Sequence, residues 1–195
     1  MINLNNLDFQ KFIGQYTLLY GENDTQKTYL TSKFVEYLMK LENVEPKEIS
    51  IIDFAPKLTY IDNLKIGGRI KDYFKDSKNC NYIKYKGEII PPRLRADNKE
   101  DLYKNLCHNY KITSNILQIF NENPTSILVL NDLSIYLHLG SKDYILRTIF
   151  KTNTFFGNSY YGYSIKKNFS KLLSIKERKR VEFLTRHLKN AIKTE

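Results

Sequence analysis

The chain has 195 residues, enough to bury one core and by default one domain. Its 31 Lys and Arg against 21 Asp and Glu give a net charge of +10. No apolar run reaches bilayer-spanning length and no charged–apolar–small leader opens the chain, so neither a membrane span nor a secretory leader is expected. Cys80 and Cys107 stand alone in the sequence, without metal-ligand spacing, as expected of a reduced, cytoplasmic protein. The positive balance has three readings: a polyanionic partner such as nucleic acid, a membrane surface, or a Lys-rich, AT-rich coding bias.

In chain order, residues 1–13 form a lead-in, with Leu7, Phe9, Phe12 and Ile13 expected to pack beside the first strand. Tyr16 to Tyr20 is a short apolar and aromatic run, predicting a buried strand. Gly21 to Lys27 is polar. Thr28 to Leu41 then places Leu30, Phe34, Tyr37, Leu38 and Leu41 on one helical face. Strand, loop and helix with Gly21-x5-Lys27-Thr28 form the layout of a phosphate-binding loop, in which backbone N–H groups and a helix N-terminus cradle phosphates. The stretch resembles the P-loop NTPase superfamily, with Gln26 standing where that pattern has the glycine that lets the loop curl around an anion. The plain alternative is a strand-to-helix turn capped by Asp24 or Thr25.

Glu45-Pro46 breaks the first helix, and Glu48 to Phe54 predicts a second strand with Asp53 at its end. In a parallel sheet that position faces the ligand crevice, so Asp53 is a candidate for aligning a water or a phosphoryl acceptor; a strand-end turn explains it equally. Residues 57–97 read as a loop-rich insertion beside the nucleotide site, with a hairpin over Tyr82 to Ile90. Arg69, Arg93 and Arg95 stand out there because the chain has seven arginines against twenty-four lysines. An arginine retained in such a composition suggests a need for its planar fork, which grips phosphate or carboxylate in a bidentate way.

Asp97 onward predicts a long helix to about Phe120. Ser126-Ile127-Leu128-Val129-Leu130-Asn131-Asp132 is an aliphatic run closing on an acid, the pattern of a buried parallel strand. It resembles a Walker B strand, in the chain order that the first motif requires. A short helix is expected over Asp132 to Leu139, another capped by Ser141, and a strand over Thr154 to Asn158 beside the 126–131 strand. Tyr160-Tyr161-Gly162-Tyr163 is then a loop near the ligand edge, where rings could stack a base or simply pack. Ser174-Ile175-Lys176-Glu177 has the form of a capping box, predicting a last helix to about Lys193 with a basic outer side.

The expected architecture is α/β: one domain over 1–195, a mainly parallel sheet of about four or five strands flanked by helices, P-loop NTPase-like. The resemblance implies ATP or GTP with Mg²⁺, bound by a loop of Gly21, Asp24, Thr25 and Gln26. It further implies that Lys27 reaches the β- and γ-phosphates, Thr28 ligates the metal and Asp132 anchors the metal's water shell. Asp53 as a catalytic residue, and Arg69, Arg93 and Arg95 as phosphate contacts, rest on position and chemistry alone. An NTPase or a small-molecule kinase would both fit. Two other functions stay open: a scaffold with a degraded phosphate loop, or a basic nucleic-acid-binding protein using the last helix.

Overall fold

The computed structural model describes residues 7–61, 64–83, 85–165 and 167–194. Lys84, inside the stretch expected to form a hairpin, lies outside the described residues. The main sheet has six parallel strands: β1 (Tyr16–Gly21), β2 (Ile49–Asp53), β5 (Asn81–Tyr82), β6 (Ile127–Asn131), β7 (Thr154–Tyr160) and β8 (Asn190–Thr194). Their spatial order is β5-β2-β6-β7-β1-β8. A separate antiparallel pair joins β3 (Thr59–Ile61) to β4 (Leu64–Ile66). The helices are α1 (Lys27–Lys40), α2 (Ile70–Tyr73), α3 (Lys99–Glu122), α4 (Leu133–Leu137), α5 (Lys142–Ile149) and α6 (Lys171–His187). This is the α/β class, with a parallel sheet flanked by helices.

The central strands read as unbroken apolar runs because both faces are covered. Along β1, β2, β6 and β7, neighbouring residues point into opposite cores. Leu19, Ile51, Val129 and Phe156 meet Phe34, Val35 and Leu38 of α1. Leu18, Ile52, Leu128 and Phe155 meet Ile116 and Leu117 of α3, Ile145 of α5 and Val181 and Leu184 of α6. Each large side chain so enclosed contributes roughly 1.5–3 kcal/mol. The lead-in packs as expected: Phe9 and Phe12 lie against Phe156, which stacks on Phe34 at 4.3 Å.

Several elements differ from the sequence expectation, each for a tertiary reason. Among the described residues of 82–90 no hairpin forms; Asn81–Tyr82 pairs with β2 as an edge strand, and an antiparallel pair is made by β3 and β4. The last helix ends at His187, and residues 190–194 form β8 beside β1. Val181, Leu184, Leu188 and Ile192 fit one helical stripe, yet Ile192 reaches the α1-side core from a strand. Helix α6 begins at Lys171, so Ser174 lies within it, its hydroxyl bonded back to the Ser170 carbonyl. With β5 and β8 added at the edges, the sheet has six strands. Ser141 does cap α5, accepting from the Tyr144 N–H at 3.2 Å.

Candidate functional site

β1 ends at Gly21, where a side chain would collide with the Thr194 carbonyl of the neighbouring β8, so the strand tip has to be glycine. The chain then turns through Asp24 (φ 57°) and Gln26 (φ 59°), both left-handed, and enters α1 at Lys27. Gln26 thus takes the conformation that the expected glycine would take, with its side chain exposed. It is the N-cap residue of α1, yet its side chain makes no capping bond. The first-turn N–H groups, which have no intrahelical partner in any α-helix, are not capped by this side chain and stand at the positive end of the helix dipole.

Asp132 lies just beyond the tip of β6 and is also left-handed (φ 60°). Among the described residues, four non-glycine positions have positive φ, and three of them, Asp24, Gln26 and Asp132, line one pocket at the C-terminal edge of the sheet. Backbone strain concentrated in this way marks a site that the surrounding fold holds in place. Lys27 and Thr28 line the same pocket.

Lys27 is only 9% exposed, and its ammonium folds back onto the loop, donating to the Glu22 carbonyl and to Thr25 Oγ1. Burial lowers its pKa to about 8, against the opposing pull of Asp132, Glu22 and Asp24. Both of its hydrogen-bond partners are neutral oxygens. Thr28 Oγ1 donates to Asn131 Oδ1 at 3.1 Å, and Asp132 Oδ1 accepts from Ser134 Oγ at 2.6 Å. Burial raises the Asp132 carboxyl, although Ser134, His138 and Lys27 work against the shift.

An amide network ties these residues together. Asn158 on β7 donates to Asn131 Oδ1 at 2.7 Å and to Thr31 Oγ1 at 2.8 Å, and accepts from the Asp132 N–H at 3.1 Å. Asn131 in turn donates to Asp53 Oδ1 at 2.8 Å and to the Gly68 carbonyl at 3.1 Å. The only cue to Asn158 was a polar residue inside a buried aromatic strand.

The remaining candidates fall in different places. Asp53 is 2% exposed and does not border the pocket. Its Oδ1 accepts from Asn131 and the Ala55 N–H, and its Oδ2 from the Ile70 N–H and the Tyr82 hydroxyl. Burial raises its pKa against those four bonds, and they leave it no free acceptor for a water at the pocket. Arg69 lies outside the pocket, its guanidinium donating to the Tyr85 hydroxyl at 3.3 Å. Arg95 is exposed, beside Leu58 and Glu88. Arg93 borders an adjoining pocket that shares Asp132, but its guanidinium is already paired with Glu177 at 2.6 Å. Glu177 also accepts from His138 Nε2 at 2.8 Å, and all three side chains are buried. Burial would raise the Glu177 carboxyl, but Arg93 and His138 outweigh it and hold the pKa low.

The loop after β7 packs against the loop that follows β1. Glu22 accepts from the Tyr163 N–H, the Ser164 N–H and the Ser164 hydroxyl, and a side chain at Gly162 would fall on its carboxylate. Those bonds hold the Glu22 pKa down although burial pushes it up. Among the described residues no group of three or more His, Cys, Asp or Glu is placed to hold a metal. One hydroxyl (Thr28) and one carboxylate (Asp132) on a common pocket do suit Mg²⁺, which retains several waters and takes few protein ligands.

No protein-family model matches the chain, and no curated protein matches it. Among solved structures, the Pif1 helicase from Candida albicans aligns over 100% of this chain and 39% of that one, at 12% identity and a TM-score of 0.41. The chain thus spans well under half the length of that protein, at a similarity too low to carry residues or activity across. No helix among the described residues is long and apolar enough to cross a membrane.

Proposed function

We propose that the chain is a P-loop nucleotide-binding protein that takes a purine nucleoside triphosphate with Mg²⁺ in the pocket between β1 and β6, and hydrolyses it or transfers its terminal phosphoryl group. One observation carries this reading: Lys27 and Thr28 from the start of α1 and Asp132 from the tip of β6 converge on one strained pocket at the N-terminus of a 14-residue helix. Polyphosphate would replace the Glu22 carbonyl and Thr25 hydroxyl as the partner of Lys27, while the free first-turn N–H groups of α1 receive its oxygens. Thr28 and Asp132 would hold Mg²⁺, which when bound neutralises phosphate charge. Asn131 and Asn158 fix the Thr28 hydroxyl and the Asp132 backbone, so the pocket is organised before a ligand arrives. In this reading Asp53 is a positioning residue that acts through Asn131.

The test is a thermal-shift series with ATP, GTP and ADP, with and without Mg²⁺, on the wild type and on Lys27→Ala. Ligand at a hundred times its dissociation constant adds about 2.7 kcal/mol, a rise of several degrees for a chain of this length. A Mg²⁺-dependent rise lost in Lys27→Ala is expected. No rise with any nucleotide, or unfolding of Lys27→Ala without ligand, overturns the assignment and favours the scaffold reading. A second reading, nucleic-acid docking on α6, rests on its exposed Lys171, Lys176, Lys179 and Arg186. It requires affinity for single- or double-stranded nucleic acid that falls steeply with salt.

A further inference from the structure

Three tyrosines line the phosphate-loop pocket: Tyr160, which also borders the adjoining pocket, and the pair Tyr29 and Tyr73. Tyr29 follows Thr28 in the first turn of α1, and Tyr73 is the last residue of α2. Their rings meet edge to face, with centroids 5.9 Å apart and planes at 70°. They keep 38% and 42% of their surface exposed, in a chain whose core encloses Phe34, Phe54, Phe120, Phe155 and Phe156 completely. Asp132 borders both this pocket and the adjoining one, whereas Tyr29 and Tyr73 border only this one.

The elements that hold these rings fix their position. Tyr29 is set by the helix that carries Lys27 and Thr28, so its distance from the phosphate cradle is constant. Tyr73 is anchored through α2, whose Ile70 N–H is held by Asp53 and whose Ile70 side chain is fully buried. Asp53 thereby positions one ring of the pair as well as Asn131. The Lys33 ammonium lies 5.6 Å from the centre of the Tyr29 ring.

We propose that Tyr29 and Tyr73 form a base-stacking subsite, so that the pocket takes a purine nucleotide whose polyphosphate lies on Lys27 and whose base lies against this ring pair. The assignment rests on the phosphate-loop reading above and adds the part of the ligand that phosphate contacts do not recognise. Stacking accepts any base through its π-face and favours the larger purines, so adenine and guanine nucleotides bind alike and pyrimidine nucleotides bind less well.

The experiment is calorimetric titration of the full chain with Mg²⁺ and ATP, GTP, CTP or inorganic tripolyphosphate, using the wild type, Tyr29→Ala, Tyr73→Ala and Tyr73→Phe. Wild type is expected to bind ATP and GTP more tightly than tripolyphosphate. Each alanine variant should weaken ATP and GTP by roughly five- to a hundredfold and leave tripolyphosphate unchanged. Tyr73→Phe should retain wild-type affinity, since the ring and not the hydroxyl is used. If wild type binds ATP no better than tripolyphosphate, or the alanine variants weaken both equally, the stacking subsite is overturned while the phosphate site stands. If wild type binds neither, the phosphate-loop reading fails and the subsite fails with it.

Discussion

Asp53 ends β2 and Asp132 follows the last residue of the adjacent parallel β6, two acids at the C-terminal ends of buried strands, yet the fold surrounds them differently. Asp53 is enclosed, and four donors fill its carboxylate. Asp132 takes one side-chain bond, from Ser134, and borders two pockets from a left-handed backbone. One acid holds the floor together, and the other is left available. The same division runs through the site: Asn131 uses both donors and both acceptor positions inside the protein, whereas Lys27 is held by two loop oxygens and Asp132 by one hydroxyl.

The contrast can be broken most forcefully at Glu177. Glu177→Ala strands a buried arginine beside His138, and removing one partner of a buried pair costs about 3–5 kcal/mol. Urea unfolding should show that loss; a variant within 1 kcal/mol of wild type would mean the cluster is not closed in solution.

Next in size is a matched pair of Asp→Asn changes. Asp53→Asn sets an amide NH₂ against existing donors, either the Tyr82 hydroxyl and Ile70 N–H or the Asn131 amide and Ala55 N–H, and should cost about 2–3 kcal/mol. Asp132→Asn should change stability by less than about 1 kcal/mol, since asparagine tolerates the left-handed backbone, but should remove the Mg²⁺ dependence of triphosphate binding. The reverse pattern, with Asp53→Asn stable and Mg²⁺-blind, would exchange the two roles.

The third prediction concerns the pH dependence set by Lys27, whose folded pKa of about 8 lies below its ordinary 10.5. Below pH 8 the lysine is protonated whether folded or unfolded, so the cost of burying the charge is fully present. Between 8 and 10.5 the unfolded chain keeps a proton that the folded chain has lost, so this group adds stability as pH rises. The apo protein should gain on the order of 1–3 kcal/mol over that interval relative to Lys27→Met, measured by urea unfolding at each pH. Triphosphate binding should move the other way, weakening as pH passes 8 and the cation is lost.

The smallest effect is expected at Gln26. Glycine takes a left-handed backbone without strain, so Gln26→Gly should stay within about 1 kcal/mol of wild type and keep nucleotide affinity. A large gain in affinity would show instead that the glutamine side chain obstructs the loop.

Much of this was legible in one dimension. The β1–loop–α1 unit, the β6 run with its acid and the Ser141 cap are local patterns in which neighbouring residues decide the geometry. Period-two and period-3.6 spacing and a helix cap need no distant partner. The arginines were less legible, because an arginine's use depends on the carboxylate it meets: Arg93 meets Glu177, 84 residues away. Ile192 completed a helical stripe on paper, but the open edge of β1 drew residues 190–194 into a strand.

By itself, then, the sequence determined a parallel α/β chain with a phosphate-loop layout, because alternating burial and turn chemistry are set by side chains close in the chain. The tertiary structure alone decided which aspartate faces the pocket, that Asn158 supports it and that Tyr29 stands against Tyr73. Those facts depend on strands and helices remote in sequence meeting at one sheet edge, and no local spacing encodes that meeting.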